Sequence, residues 1–297
     1  MAPPIRKTRF VPEWIDMKPR IPVPRIDWIQ DKKLNIPYGT APLQKIDIYY
    51  PKTIKQTYPT VILVHGGGFM RCDKRDWHLY PGFYALEAGF ALVSVNYRLA
   101  PADPYPAAVE DLKSAVSYLR ENAVALRLDA ENFFLYGTSA GGNLVSYAGL
   151  DGNASRGTTR DFHVKAVAAL CPLINFTDWV KQAPWYIQAL PAMRAALKGY
   201  LGEFPWKSSQ RAIEASADSR IAPNAPAFYI QQGDKDPAVN VRQAIDFYDK
   251  LKSSGYFNEK DLVLDILKGT PHAGAGPEFL ELTNVKPILD FFTRRIG

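Results

Sequence analysis

Phe133-Phe134-Leu135-Tyr136-Gly137-Thr138-Ser139-Ala140-Gly141 sets an apolar run directly against a G-x-S-x-G pattern. The run reads as a buried strand, and Gly142-Asn143-Leu144-Val145-Ser146-Tyr147-Ala148 reads as the opening of a helix. A serine hydroxyl attacks carbonyls only when it is held exposed, beside a base, at the edge of a scaffold. A sharp strand-to-helix turn does that, and the small residues two positions either side of Ser139 leave room for it. The bare five-residue pattern also occurs in ordinary glycine turns; the flanking strand and helix favour a nucleophile elbow.

Working outward, Thr60-Val61-Ile62-Leu63-Val64 suits a strand buried on both faces and runs into His65-Gly66-Gly67-Gly68-Phe69. A tetrahedral acyl intermediate develops negative charge on oxygen, and backbone amides reached through glycines are the least obstructed donors for it. The amides of Gly67, Gly68 and Ala140 are therefore the candidate oxyanion hole. Of the four histidines, His272 follows the strand-like Leu262–Leu267 in a Gly-Thr-Pro-His loop, where a catalytic base belongs. His65 fits a local role in holding the glycine loop, while His78 and His163 fit surface or partly buried structural roles. An acid should fall between nucleophile and base, and Asp234 and Asp236 both stand at the end of the strand-like Ala227–Gln232. The Asp-Pro turn favours Asp236 without excluding Asp234.

Strand-like runs at 60–64, 90–95, 133–136, 164–170, 227–232 and 262–267 alternate with helical candidates such as Ala107–Asn122 and Val241–Ser254. Such alternation implies an α/β domain with a mostly parallel central sheet flanked by helices. A peripheral strand is expected over 43–50, and residues 1–42 form a proline-rich N-terminal arm ahead of a domain spanning 43–297. His65, Ser139, Asp236 and His272 all follow strands, at the sheet edge where functional loops of such folds lie. The alternation breaks over about 175–226, an aromatic-rich stretch holding Phe176, Trp179, Trp185, Tyr186, Met193, Tyr200, Phe204 and Trp206. It is expected to be a cap or lid over the site, with Phe69, Trp185, Tyr186 and Met193 as candidate substrate-binding residues.

Composition bounds the remaining classes. With 47% hydrophobic and 22% charged residues, the chain has the balance of a soluble globular protein. A net charge of +6 is spread among 36 basic and 30 acidic residues, which argues against nucleic acid. No apolar run approaches the ~20 residues needed to span a bilayer. The N-terminus lacks the apolar segment of a secretory signal, and Cys72 and Cys171 lack metal spacing, so reduced thiols and a cytoplasmic location are expected. Neither a metal nor an organic cofactor is expected; the partner is a small-molecule ester, and a homodimer is left open.

Five segments together carry a resemblance: His65–Phe69, Tyr97-Arg98-Leu99-Ala100-Pro101, Pro106-Ala107-Ala108-Val109-Glu110-Asp111, Gly137–Asn143 and Gly233-Asp234-Lys235-Asp236-Pro237. Over roughly 43–295 the chain resembles α/β-hydrolase esterases of the hormone-sensitive-lipase-like type, especially the bacterial feruloyl/acetyl-esterase-like branch. The resemblance implies the α/β-hydrolase fold and a serine carboxylesterase with the triad Ser139, Asp236 and His272. It implies structural roles for Glu110 and Asp111. Two departures stand out: Cys72 replaces a glycine often found after the glycine motif, and prolines in the arm oppose the helical N-terminal cap common in that type. An amidase or aryl formamidase would share the triad, as would a carbohydrate acetyl or feruloyl esterase. A non-catalytic receptor on the same fold would tend to lack His272.

Overall fold

The computed structural model describes residues 21–154, 162–205 and 209–297; the arm up to residue 20 and Trp206 lie outside them. The strands are β1 (Lys32–Pro37), β2 (Lys45–Tyr49), β3 (Tyr58–Val64), β4 (Ala91–Val95), β5 (Leu128–Thr138), β6 (Ala166–Leu170), β7 (Ala227–Gly233) and β8 (Leu262–Leu267). They form one sheet in the order β1-β2-β4-β3-β5-β6-β7-β8. Pairing is antiparallel from β1 through β2 to β4 and parallel from β4 to β8. This is the α/β-hydrolase fold.

Side-chain alternation sorts the strands onto two cores. Ile62, Val64, Phe133, Leu135, Val167, Ala169, Phe228 and Ile230 face one core. Their neighbours Val61, Leu63, Phe134, Tyr136, Ala166, Ala168 and Tyr229 face the other. On the second face lie α1 (Tyr80–Glu87) and, at the end of the chain, a helix over Leu282–Thr293. The first face is covered by α2 (Ala107–Glu121), α3 (Ala140–Ala154) and a helix over Arg242–Ser253. In α2 the buried Ala108, Val109, Leu112, Ala115, Val116 and Leu119 recur at helical spacing, one stripe laid on the sheet.

Lys32–Pro37, which sequence reading leaves in the arm, is an edge strand. Its sequence hides it because both faces are largely solvated, so no apolar alternation is needed. A register shift lies between Lys33 and Ile36, where Asn35 is left-handed at φ 57°. Among the described residues between β6 and β7 lie four short α-helices: α4 (Phe176–Gln182), α5 (Trp185–Gln188), α6 (Pro191–Leu201) and α7 (Gln210–Ala215). The Arg242–Ser253 and Leu282–Thr293 helices are then α8 and α9. The Asn175 side chain starts α4 by accepting from the Asp178 amide at 2.8 Å.

The sheet reverses its winding between β3 and β5, which are adjacent although β4 lies between them in sequence. At such a switch point the loops leaving the two strands diverge and open a crevice. Those loops carry His65–Phe69 and Ser139.

Candidate active site

Ser139 links β5 to α3 with φ 56°, a left-handed conformation costly for a residue with a side chain. The turn is held by Ser139 N–H donating to the Leu170 carbonyl at 2.8 Å and Asn143 N–H donating to the Ser139 carbonyl at 3.1 Å. A Cβ on Gly137 would fall 2.3 Å from the Gly141 oxygen, and one on Gly141 would fall 2.3 Å from the Val64 oxygen. Strand and helix therefore meet at a distance that only glycine permits.

His272 leaves β8 through a short loop. Its Nε2 lies 2.9 Å from Ser139 Oγ and its Nδ1 lies 2.6 Å from Asp236 Oδ2. Asp236 is fully engaged: Oδ1 accepts the amides of Ala238 and Val239 at 2.9 and 2.8 Å, and Oδ2 also accepts Gln232 Nε2 at 2.9 Å. A carboxylate fixed by four donors orients the imidazole. Asp234, the other candidate acid, turns away and accepts the Gly269 amide at 2.7 Å, tying the ends of β7 and β8 together. Burial disfavours a charged imidazolium at His272, but the Asp236 carboxylate, assisted by the Cys171 sulfur, outweighs it and raises the ring's pKa well above 6.5.

The amides of Gly67, Gly68 and Ala140 enter no hydrogen bond within the fold among the described residues. His65 is buried, its Nδ1 3.0 Å from the Gly66 oxygen, and its ring stacks on Tyr97 at 4.4 Å. The Tyr97 hydroxyl donates back to the His65 carbonyl at 3.0 Å. Burial pushes the His65 pKa down.

His78 has a role its sequence context concealed. It is buried against the site, and its Nε2 accepts the Gly66 amide at 3.1 Å. Its Nδ1 lies 2.7 Å from Asp76 Oδ1, which fixes Nδ1 as the protonated nitrogen. Burial alone would raise the Asp76 carboxyl; the His78 contacts outweigh it and hold it well below the usual carboxylate range. The only available signal was Asp-x-His a few residues beyond the glycine loop, which is too short to be specific.

A cavity of about 80 Å³ opens at Ser139. Phe69 lines it and stacks on Tyr200 of α6 at 3.7 Å, while Met193, Ala196 and Leu197 of the same helix and Trp179 of α4 line it from the insertion. Trp185 and Tyr186 do not: on α5 they are 79% and 52% exposed and pack edge-on against each other outside the lining. A four-residue helix can bury only one side, and here Ile187 takes it.

Asp111 is turned inward, accepting the Arg98 backbone amide at 2.8 Å and Arg98 Nη2 at 2.7 Å, while Glu110 reaches Lys113 at 3.0 Å. Cys171, Asp236 and His272 offer donor atoms within 4.8 Å of one another, as do Cys72, Asp76 and His78. In both sets the two imidazole nitrogens already serve hydrogen bonds of the fold, which suits neither set to metal ligation. Among the described residues, no helix is long and apolar enough to cross a membrane.

The chain is 27% identical to Esterase LipC of Mycobacterium tuberculosis (strain ATCC 25618 / H37Rv) over 224 residues, 73% of this chain and 54% of the relative. It is 28% identical to Esterase LipQ of the same strain over 254 residues, 80% of this chain and 56% of the relative. The chain thus spans little more than half the length of either. A solved structure described as a truncated form of carbohydrate esterase from gut microbiota superposes with a TM-score of 0.78 at 22% identity, covering 92% of this chain and 99% of that one. Residues 46–251, from β2 into α8, match the BD-FAE family. That span takes in the elbow, the glycine loop and Asp236, and the chain belongs to the BD-FAE family, on an α/β-hydrolase fold.

Proposed function

We propose that the protein is a serine carboxylesterase acting on short-chain or small aromatic carboxylic esters. The observation that carries this reading is the continuous relay from Ser139 Oγ through His272 to Asp236, at 2.9 and 2.6 Å, opening on a cavity beside three unengaged amides. His272 takes the Ser139 proton as Oγ attacks the ester carbonyl, and the Asp236 carboxylate stabilises the imidazolium that forms. The amides of Gly67, Gly68 and Ala140 receive the oxyanion. His272 returns its proton to the departing alcohol, and the same base then activates water to release the acid.

The mostly apolar lining of the cavity, with Phe69, Trp179, Met193 and Leu197 around Ser139, supports a small apolar acyl group. The insertion over 175–226 acts as the cap of a catalytic domain that takes in 43–297 together with the edge strand β1, supported by Trp179 and Met193 in the pocket wall. Cys72 and Cys171, neither in a disulfide, fit a cytoplasmic setting.

The test is hydrolysis of p-nitrophenyl esters from acetate to decanoate, beside Ser139→Ala and an arylformamide. Turnover peaking at acetate or butyrate and lost in Ser139→Ala is expected. Turnover confined to the formamide would move the assignment to an amidase, and equal turnover by Ser139→Ala would overturn the mechanism.

A further inference from the structure

Arg71 is a cation in the wall of the catalytic cavity. The loop that carries it folds back on the glycines: Met70 N–H donates to the Gly67 carbonyl at 3.2 Å, and the Arg71 carbonyl lies 2.5 Å from where a Cβ on Gly67 would stand. Cys72 follows in the left-handed region at φ 79°. Arg71 is thereby held against the glycine segment that carries the candidate oxyanion amides of Gly67 and Gly68.

The charged residues that follow it in the loop are each engaged elsewhere among the described residues. Lys74 and Arg75 are both directed at the buried Asp47. Asp73 receives Asn96 Nδ2 at 2.6 Å and the Arg75 amide at 2.9 Å, and Asp76 is engaged by His78. Arg71 is left out of this network: its Nη1 is buried and has no protein hydrogen-bond partner among the described residues. Among the described residues the cavity lining contains no aspartate or glutamate; Asp76 and Asp236 stand behind the lining residues His78 and His272.

A buried donor without an acceptor is costly, and native proteins seldom leave one without a purpose. In a cavity walled mostly by apolar groups, a lone guanidinium fork matches a carboxylate, which it can bind through two parallel hydrogen bonds. The surrounding network holds the loop in place before any ligand arrives, so little ordering is required on binding.

We propose that Arg71 recognises an anionic group on the substrate, so that the preferred substrates are esters bearing a carboxylate close to the scissile bond. The proposal rests on the esterase reading above and narrows its substrate class. The carboxylate can belong to the acyl part, as in a hemiester of a dicarboxylic acid, or to the leaving alcohol.

Two matched pairs separate these sources: p-nitrophenyl hemiglutarate against p-nitrophenyl valerate, and 4-carboxyphenyl acetate against 4-carbamoylphenyl acetate. Wild type is expected to favour the charged member of one pair by about ten-fold or more in kcat/KM. In Arg71→Met that ratio should collapse toward one, in Arg71→Lys it should fall partway, and in Arg71→Glu it should invert. Each ratio is internal to one protein, so a folding defect cancels. Ser139-dependent turnover of the neutral esters with no charge preference in either pair, or with the preference intact in Arg71→Met, overturns the proposal and leaves the esterase reading standing. Absence of Ser139-dependent turnover of every ester overturns both.

Discussion

His78 Nε2 accepts the Gly66 amide hydrogen at 3.1 Å, so a second histidine braces the glycine loop from behind while His272 Nε2 lies 2.9 Å from Ser139 Oγ. The two imidazoles are built alike, each with Nδ1 on a carboxylate and Nε2 turned to the site. Their tasks differ because their Nε2 partners differ: a hydroxyl that can be deprotonated for one, a backbone amide that cannot for the other.

The first prediction follows from that brace. His78→Ala leaves the Gly66 amide without its acceptor and frees the loop that presents Gly67 and Gly68. Misplaced oxyanion donors lower kcat with little change in KM, by about ten- to a hundred-fold. His78→Gln, which can still offer an oxygen to Gly66, should recover part of the loss. The affinity of a trifluoromethyl ketone inhibitor should fall in parallel with kcat/KM; weakened stability with unchanged inhibitor affinity would make the brace purely structural.

A second concerns the elbow. Gly141→Ala drives a Cβ to within 2.3 Å of the Val64 oxygen and 2.5 Å of the His65 oxygen, both backbone atoms that cannot step aside. The expected cost is about 3 kcal/mol or more of folding stability, read as a lower urea midpoint. Ser139→Ala, which removes only the hydroxyl, should fold normally and lose activity by several orders of magnitude. If Gly141→Ala is as stable as wild type, the close approach of β3 to α3 is wrong.

The pH profile is the third. A general base must be neutral to accept a proton, so activity is lost as pH falls through the His272 pKa. Asp236 raises that pKa above 6.5, which moves the acid limb of kcat/KM to a pH above 6.5. Asp236→Asn removes the carboxylate charge; its residual activity should be far lower and its acid limb should shift toward lower pH. An acid limb that does not move in Asp236→Asn would show that another group sets it.

Met193 supplies the fourth. It is half-buried on α6 and lines the cavity beside Ala196 and Leu197. Met193→Ala should lengthen the preferred acyl chain by about two to three carbons, and Met193→Trp should confine turnover to acetate. Because the side chain is only partly buried, the stability cost of the alanine should stay near 1 kcal/mol. Trp185→Ala, outside the lining, should leave chain-length preference unchanged.

Much of this arrangement was legible in the linear chain. Strands β3 to β8 were visible because a parallel sheet covered on both faces demands unbroken apolar runs, as in Thr60–Val64 and Phe133–Tyr136. The elbow was visible because close backbone contact at Gly137 and Gly141 tolerates no side chain. β1 was not visible, since an edge strand such as Lys32–Pro37 is held by backbone bonds to β2 and needs no apolar signature. Nor could sequence order the aromatics of the insertion: Trp179 and Tyr200 are buried while Trp185 and Tyr186 face solvent, and only the packing of four short helices separates them.

Local chemistry, written residue by residue, determined the elbow, the glycine loop and a histidine after the last strand, because strained turns and backbone donors impose residue types at fixed short spacings. The Asp-Pro turn already favoured Asp236, which the fold sets against His272; tertiary structure alone decided that His78 holds Gly66 and that Arg71 Nη1 lacks a protein partner among the described residues. Those outcomes depend on which side chains meet among the loops that leave β3, β5, β7 and β8, residues distant in sequence that only the sheet order brings together.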